Sequence, residues 1–261
     1  MRTDVAATLT VSSPAAVTAL LQIAVADPTS EQLLVTSGDE VVEPEEIEVD
    51  GARVHRLRLR AGDTTITYSA AAETGGAPRK VTPVEWAVAL RPSRYCPSDQ
   101  LEGFARAEFD QNLPRAELVA AVAAWVNRRL VYTSGASRPV DTAVDTLLAG
   151  QGVCRDYAHL TITLLRALEV PARLVAVYAP GLDPMDFHAV VEADVDGTWC
   201  VVDSTRLAPT SSLVRICSGR DAADTAFLSL FGGVAQFRTM TVTATTAGPL
   251  PAPDDAPFPL P

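Results

Sequence analysis

The spacing of the hydrophobic residues changes along this 261-residue chain, and the change divides the chain into two parts that fold differently. Over residues 4–72 apolar and polar residues alternate, as at Val5, Ala7 and Leu9, which is typical of antiparallel strands with one buried face. Over residues 114–130 the apolar residues instead recur at helical spacing. A strand-rich region is therefore followed by a region that contains helices.

Glycine and proline mark the ends of these regions. The segment 74–79 contains two glycines and a proline and indicates a linker. From residue 248 onwards six prolines remove backbone hydrogen-bond donors, so we expect disorder there. We accordingly predict an N-terminal β-rich domain over 1–78, a second domain over 79–247 and a disordered Pro-rich tail over 248–261.

The charge of the chain limits its partners. Asp and Glu number 32 against 21 Lys and Arg, which gives a formal net charge of −11. Because phosphate contacts need clustered Lys and Arg, we expect no nucleic-acid partner and no anionic membrane partner. We find no apolar run long enough for a membrane-spanning helix and no apolar N-terminal core of the kind found in secretory signals, so a cytoplasmic location is expected.

One of the four cysteines occupies a chemically favourable position. Cys96, Cys200 and Cys217 lie outside any CxxC pair, whereas Cys154 follows a Gly-rich turn and opens a strongly amphipathic helix. The first helical turn presents unpaired N–H groups and the positive end of the helix dipole, which favour a thiolate and could hold an oxyanion. Many cysteines at such positions are nevertheless small buried residues without a chemical role.

A predicted hairpin brings a histidine close to an aspartate. Its two strands are joined by Asp196-Gly197, a dipeptide preferred in two-residue type I′ turns. With that loop Val190 lies opposite Asp203, and His188 lies on the same face, diagonal to Asp203. A carboxylate beside a histidine fixes the tautomer and stabilises the imidazolium, as a general base requires.

Three segments around these residues resemble one protein family. They are GVCRDYAHL at 152–160, FHAVVE at 187–192 and WCVVDST at 199–205, and in this order they closely resemble the bacterial transglutaminase-like superfamily. The resemblance is most specific over 152–209 and weaker from residue 100 onwards.

The resemblance implies both a fold and a set of site residues. The implied class is α+β, with a papain-like core in which a helix carrying Cys154 packs on an antiparallel sheet, preceded by an N-terminal β-sandwich-like domain. By the same resemblance Cys154 is the nucleophile, His188 the base and Asp203 the orienting carboxylate. The chain departs from the family pattern at Val190, where Trp is common, and at Ser204, where Pro is usual.

These residues predict a thiol-dependent enzyme that transfers acyl groups or hydrolyses amide bonds. The thiolate would attack a carbonyl and form a thioester, which water resolves in a peptidase or amidase and an amine resolves in a transglutaminase. The resemblance makes a protein or peptide the expected substrate. No EF-hand-like calcium motif is present, so we predict no cofactor and no calcium requirement.

Two other functions stay open at this point. The chain could be a non-catalytic binding or scaffold protein that retains the fold, because a fold does not fix a function. Alternatively, Cys154, His188 and Asp203 could hold zinc in an open site. We assign no chemical role to Tyr132, which we expect to pack near the cleft or the core, or to Asp156, which we expect to shape the start of the helix.

Overall fold

The computed structural model describes residues 1–49, 51–73, 77–252 and 256–260. Its strands are β1 (Arg2–Ser13), β2 (Val17–Leu21), β3 (Ser30–Ser37), β4 (Glu40–Val41), β5 (Glu45–Val49), β6 (Ala52–Leu59), β7 (Gly62–Glu73), β8 (Val131–Tyr132), β9 (Gln151–Gly152), β10 (Ala172–Tyr178), β11 (Phe187–Val195), β12 (Thr198–Val202), β13 (Val214–Gly219), β14 (Leu228–Phe231) and β15 (Gln236–Thr246). Its α-helices are α1 (Pro83–Ala89), α2 (Glu102–Glu108), α3 (Arg115–Arg129), α4 (Ala143–Ala149) and α5 (Cys154–Ala167).

The N-terminal strands form a sandwich of two antiparallel sheets. One sheet has the strand order β15-β1-β7-β3-β4 and the other has the order β14-β2-β6-β5. The alternation in the sequence determines which side chains enter the space between the sheets: every second residue of β1, including Val5, Ala7 and Leu9, is buried there. The prediction of a β-rich N-terminal region with one buried face is confirmed.

The sandwich also contains two strands from the C-terminal part of the chain. Strand β15 pairs with β1 from Thr3↔Thr246 onwards, and β14 pairs with β2. The predicted second domain over 79–247 therefore needs correction, because residues 228–231 and 236–246 pair with the N-terminal strands. The alternation of a strand shows which face it buries but does not show its partner, so this pairing could not be predicted from the sequence.

The remaining region surrounds one helix that is almost entirely buried. Every residue of α5 from Asp156 to Ala167 is buried, between α3 and α4 on one side and the sheet β12-β11-β10-β13 on the other. The predicted helix over 114–130 is confirmed as α3. Helix α4 ends where Gly150 adopts a left-handed conformation with φ 66°, as a C-terminal glycine does.

The two regions pack against each other. The hydroxyl of Tyr178 in β10 donates a hydrogen bond to the carbonyl oxygen of Ile23, at 2.9 Å. Its ring lies in the same apolar cluster as the core of the sandwich. Of the predicted linker, residues 74–76 lie outside the described residues, while Arg79 accepts a hydrogen bond from the backbone of Trp199 in β12.

The predicted disorder of the tail is wrong for residues 256–260. Phe258 makes two backbone hydrogen bonds with Val201 of β12, of 2.7 and 2.9 Å, and Leu260 is 2% exposed. Pro257 and Pro259 remove only their own N–H groups, so Phe258 still donates one hydrogen bond and accepts another at the sheet edge. Two apolar side chains separated by one proline thus dock a segment whose composition suggested no structure.

No helix within the described ranges has both the length and the apolar character needed to cross a bilayer.

Candidate active site

The start of α5 is fixed by a short parallel ladder. Strands β8 and β9 pair with Tyr132 opposite Gly152, and the N–H of Thr133 donates to the carbonyl of Gly152 at 2.9 Å. Val153 then takes an extended conformation as the N-cap, and Cys154 is the first residue of α5. Cys154 is half-buried, whereas the other three cysteines are buried.

Asp156 holds this helix start in place. Its carboxylate accepts hydrogen bonds from the N–H of Val153, at 2.8 Å, and from the hydroxyl of Ser137, at 2.9 Å. A Cβ atom on Gly152 would lie 2.6 Å from the Cβ of Asp156, so only glycine allows the approach. The expectation that Asp156 shapes the helix start is confirmed, and the contact explains why glycine precedes Val153 and Cys154.

The hairpin has the predicted register. Val195 pairs with Thr198 and Val191 with Val202, while Asp196 and Gly197 both have positive φ, at 51° and 80°, as a type I′ turn requires. The diagonal placement that follows from this register brings the side chains of β11 and the end of β12 into contact.

His188 and Asp203 form a buried pair as a result of this register. His188 Nε2 lies 2.8 Å from Asp203 Oδ2, and both side chains are almost completely buried. The second oxygen of the carboxylate, Oδ1, accepts hydrogen bonds from the backbone N–H and the hydroxyl of Thr205, at 2.9 and 2.7 Å. Both oxygens of Asp203 are thus occupied, which fixes the plane of the carboxylate.

Ser204, the residue at the usual position of proline, makes one contact through its side chain, which a proline could not make, and one through its backbone carbonyl. Its hydroxyl lies 2.6 Å from that of Thr161 in α5, and its carbonyl accepts a hydrogen bond from Asn127 of α3 at 2.8 Å. The turn after Asp203 is therefore tied to the helix that carries Cys154. The departure from the family pattern leaves the carboxylate of Asp203 on His188.

The third predicted residue, Cys154, also lies near this imidazole. Asp203 occupies Nε2 of His188, and among the described residues Nδ1 makes no hydrogen bond. The side chain of Cys154 is close enough to His188 to contribute to the raised pKa of the imidazole. The structure therefore brings together all three residues that the sequence singled out.

The electrostatics of the pair favour a charged imidazole. Burial disfavours the imidazolium, but the charge and hydrogen bond of Asp203, supported by Cys154, outweigh burial and raise the pKa of His188 to about 10. Burial likewise disfavours the carboxylate, yet His188 and Thr205 hold the pKa of Asp203 below its usual range. The two groups are thus stable as an ion pair.

Tyr132 also lies near this site, although the sequence analysis assigned it no chemical role. It pairs with Gly152, two residues before Cys154, and its side chain is close enough for Cys154 to affect its pKa. Burial, followed by Cys154, raises the pKa of Tyr132 to about 12. The only signal in the sequence was an aromatic residue just after a predicted helix, and that pattern does not reveal the ladder that aims it.

The other cysteines and histidines lie elsewhere. Cys96, Cys200 and Cys217 are buried, and burial raises the pKa of each of these thiols. His159 is fully buried, stacks on Tyr95 and accepts a hydrogen bond from a backbone N–H. Within the described ranges no three His, Cys, Asp or Glu side chains are arranged as the ligands of a metal ion.

Comparison with known proteins agrees with this geometry. The family model of the transglutaminase-like superfamily matches residues 104–204. The crystal structure of a "putative cysteine protease" from Cytophaga hutchinsonii is 32% identical, with a TM-score of 0.86, and the match covers 99% of this chain and 93% of that one.

Sequence relatives of unassigned function occur in mycobacteria. A Mycobacterium leprae protein is 27% identical over 198 residues, which are 67% of this chain and 71% of that protein. A Mycobacterium tuberculosis protein is 29% identical over 133 residues, which are 51% of this chain and only 41% of that protein. The full-length match to the Cytophaga structure, together with the family model, shows that this chain belongs to the transglutaminase-like superfamily.

Proposed function

We propose that the protein is a cysteine-dependent enzyme that forms a thioester with the acyl group of an amide or ester and passes it to water or an amine. One observation carries the proposal: hydrogen bonds run from Thr205 through Asp203 to His188, and Cys154, at the start of a helix, is close enough to contribute to the raised pKa of that histidine. Such a series is what a cysteine nucleophile and its base require.

Each residue would have a defined part in the reaction. His188 holds the proton taken from Cys154, and Asp203 stabilises the resulting imidazolium. The thiolate attacks the carbonyl carbon, and the negative charge that forms on the oxygen faces the N–H of Cys154. His188 returns the proton to the leaving amine or alcohol, and then accepts a proton from the water or amine that attacks the thioester.

The identity of the substrate is a further part of this proposal. The relative from Cytophaga hutchinsonii carries the name "putative cysteine protease", which supports a protein or peptide as acyl donor for this chain. The contacts of Cys154, His188 and Asp203 are compatible with both water and an amine as acceptor, because both need the same base.

Acylation by a simple ester tests the proposal without knowledge of the natural substrate. We expect p-nitrophenyl acetate to release one equivalent of p-nitrophenolate in a burst, and intact-mass and peptide analysis to place the acetyl group on Cys154. Cys154→Ala should abolish the burst, while Cys200→Ala, which removes a buried thiol, should retain it. Absence of a burst in the wild-type protein, or acetylation spread over all four cysteines, would refute the proposal.

A further inference from the structure

A buried hydrogen bond joins the turn after Asp203 to helix α5. The hydroxyl oxygens of Ser204 and Thr161 lie 2.6 Å apart, and both residues are buried. Thr161 donates its own hydroxyl proton to the carbonyl of Tyr157, at 2.8 Å. A hydroxyl has only one proton, so Thr161 accepts in the contact with Ser204, and Ser204 is the donor. The hydrogen bond is therefore directed from the turn to the helix.

This hydrogen bond connects the two parts of the site. Thr161 lies seven residues after Cys154, which is close to two helical turns. The two side chains are therefore on the same face of α5, about 10 Å apart along its axis. Ser204 directly follows Asp203, whose carboxylate is bonded to His188. One end of the connection thus lies on the helix that carries the nucleophile, and the other lies beside the pair that supplies the base.

The turn itself is fixed by further contacts. The carbonyl of Ser204 accepts a hydrogen bond from Asn127 of α3, at 2.8 Å. Thr205 donates from both its N–H and its hydroxyl to Asp203 Oδ1. Three consecutive residues are held in this way, so a displacement of Ser204 would also displace the carboxylate of Asp203. A proline at this position would restrict its own φ but would supply no hydrogen bond to α5.

We propose, on the basis of the function proposed above, that Ser204 and Thr161 are positioning residues whose hydrogen bond sets the distance between Cys154 and the His188–Asp203 pair. Apolar packing of α5 on the sheet is not directional, so it permits small displacements of the helix. A hydrogen bond has a narrow range of lengths and angles and therefore defines one position. Both hydroxyls are buried, so they act through the groups they hold and not on the acyl group.

Thr161→Val tests this role, because valine has nearly the shape of threonine and lacks the hydroxyl. We expect the burst of p-nitrophenolate from p-nitrophenyl acetate to slow by about 10–10²-fold, since misplacing a reacting group by about 1 Å can cost about 10²-fold in rate. Ser204→Ala removes the same hydrogen bond from the other side and should slow the burst similarly. The variant with both changes should be no slower than the slower single variant, because one interaction is lost in all three. Thr161→Ser retains the hydroxyl and should restore the wild-type rate.

Thr163→Val is the matched control. Thr163 is as buried as Thr161 and donates its hydroxyl to the carbonyl of His159, at 2.7 Å, in the same way as Thr161 donates to that of Tyr157. It lies two residues further along α5 and hence nearly on the opposite face of the helix. We expect Thr163→Val to lower the urea midpoint of unfolding while the burst keeps its wild-type rate.

The pH dependence of alkylation distinguishes positioning from a loss of stability. A thiolate beside an imidazolium persists to lower pH than that of a free thiol. Iodoacetamide should therefore alkylate Cys154 more slowly in Thr161→Val than in the wild type in mildly acidic solution. The two rates should converge in alkaline solution, where any thiol is ionised. Thr163→Val should follow the wild-type profile.

Three results would overturn the positioning role while leaving the proposed function intact. They are an unchanged burst in Thr161→Val and Ser204→Ala, equal slowing in Thr161→Val and Thr163→Val, and a Thr161→Ser variant as slow as Thr161→Val. A wild-type protein that shows no burst at Cys154 would overturn both proposals, so the two failures are distinguishable.

Discussion

The close approach of Gly152 to Asp156 makes a specific prediction for Gly152→Ala. The new Cβ would lie 2.6 Å from Asp156 Cβ and 2.8 Å from Asp156 Oδ2, so the aspartate must move. Asp156 is 1% exposed, and moving it stretches or breaks its hydrogen bonds to Val153 and Ser137. A buried hydrogen bond to a charged group contributes about 1.5–3 kcal/mol, and overpacking costs about 1–3 kcal/mol. We expect Gly152→Ala to lower the free energy of unfolding by about 3 kcal/mol, because partial relaxation will preserve some of each term.

Urea-induced unfolding, followed by circular dichroism, measures this difference. Gly103→Ala in α2 is the matched control, because a Cβ there meets no atom within 4 Å. It should stabilise the protein by up to about 1 kcal/mol, since alanine restricts the unfolded chain more than glycine does. A second control, Asp156→Ala, removes the same hydrogen bonds without the clash. The reasoning is refuted if Gly152→Ala costs less than about 1 kcal/mol, the size of an ordinary surface change.

Three further outcomes are expected. Asp203→Asn should slow alkylation of Cys154 by about 10²-fold, because the charged imidazole partner of the sulfur is lost. Iodoacetamide kinetics measured at several pH values check this outcome, and an unchanged profile would contradict it. The same variant should lose about 3 kcal/mol of stability. That loss of stability should be greatest between the ordinary pKa values of 3.8 for Asp203 and 6.5 for His188. It should shrink as pH rises through about 10 or falls through the lowered pKa of Asp203. Urea titrations at several pH values check this, and a loss of stability that grows towards pH 10 would contradict it. Leu260→Ala should lower the free energy of unfolding by about 2–4 kcal/mol, because this side chain is 2% exposed. Leu250→Ala, at a residue that is 37% exposed, should lower it by less than about 1 kcal/mol. Equal losses in the two variants would mean that the tail is not docked.

The parts of the site that follow from local rules could be predicted from the sequence. The Asp196-Gly197 turn fixed the hairpin register, and the register placed His188 diagonal to Asp203. The glycine-rich turn and the helical spacing placed Cys154 at a helix start. Each of these depends on residues close together in the chain, where turn chemistry and periodicity are informative.

The parts that depend on distant pairing could not be predicted. Tyr132 lies beside Gly152, two residues before Cys154, because β8 pairs with β9, and two-residue strands have no periodicity to detect. Phe258 docks on Val201 although prolines flank it, since the partner that makes docking favourable is a sheet edge made by residues far away in sequence. Composition reports the average character of a segment and not the contacts of its few apolar residues.

The pairing of β15 with β1 has a consequence for synthesis of the protein. As the nascent chain leaves the ribosome, β7 can cover one edge of β1 early, but the other edge stays open until residues 236–246 emerge. Exposed strand edges can pair with other chains. The risk of aggregation is therefore greatest between the folding of β7 onto β1 and the emergence of residues 236–246. The intervening region is rich in local helical contacts and can fold during that interval. An amino-terminal fragment that ends before residue 236 would therefore carry a permanently open edge, and we would expect it to self-associate.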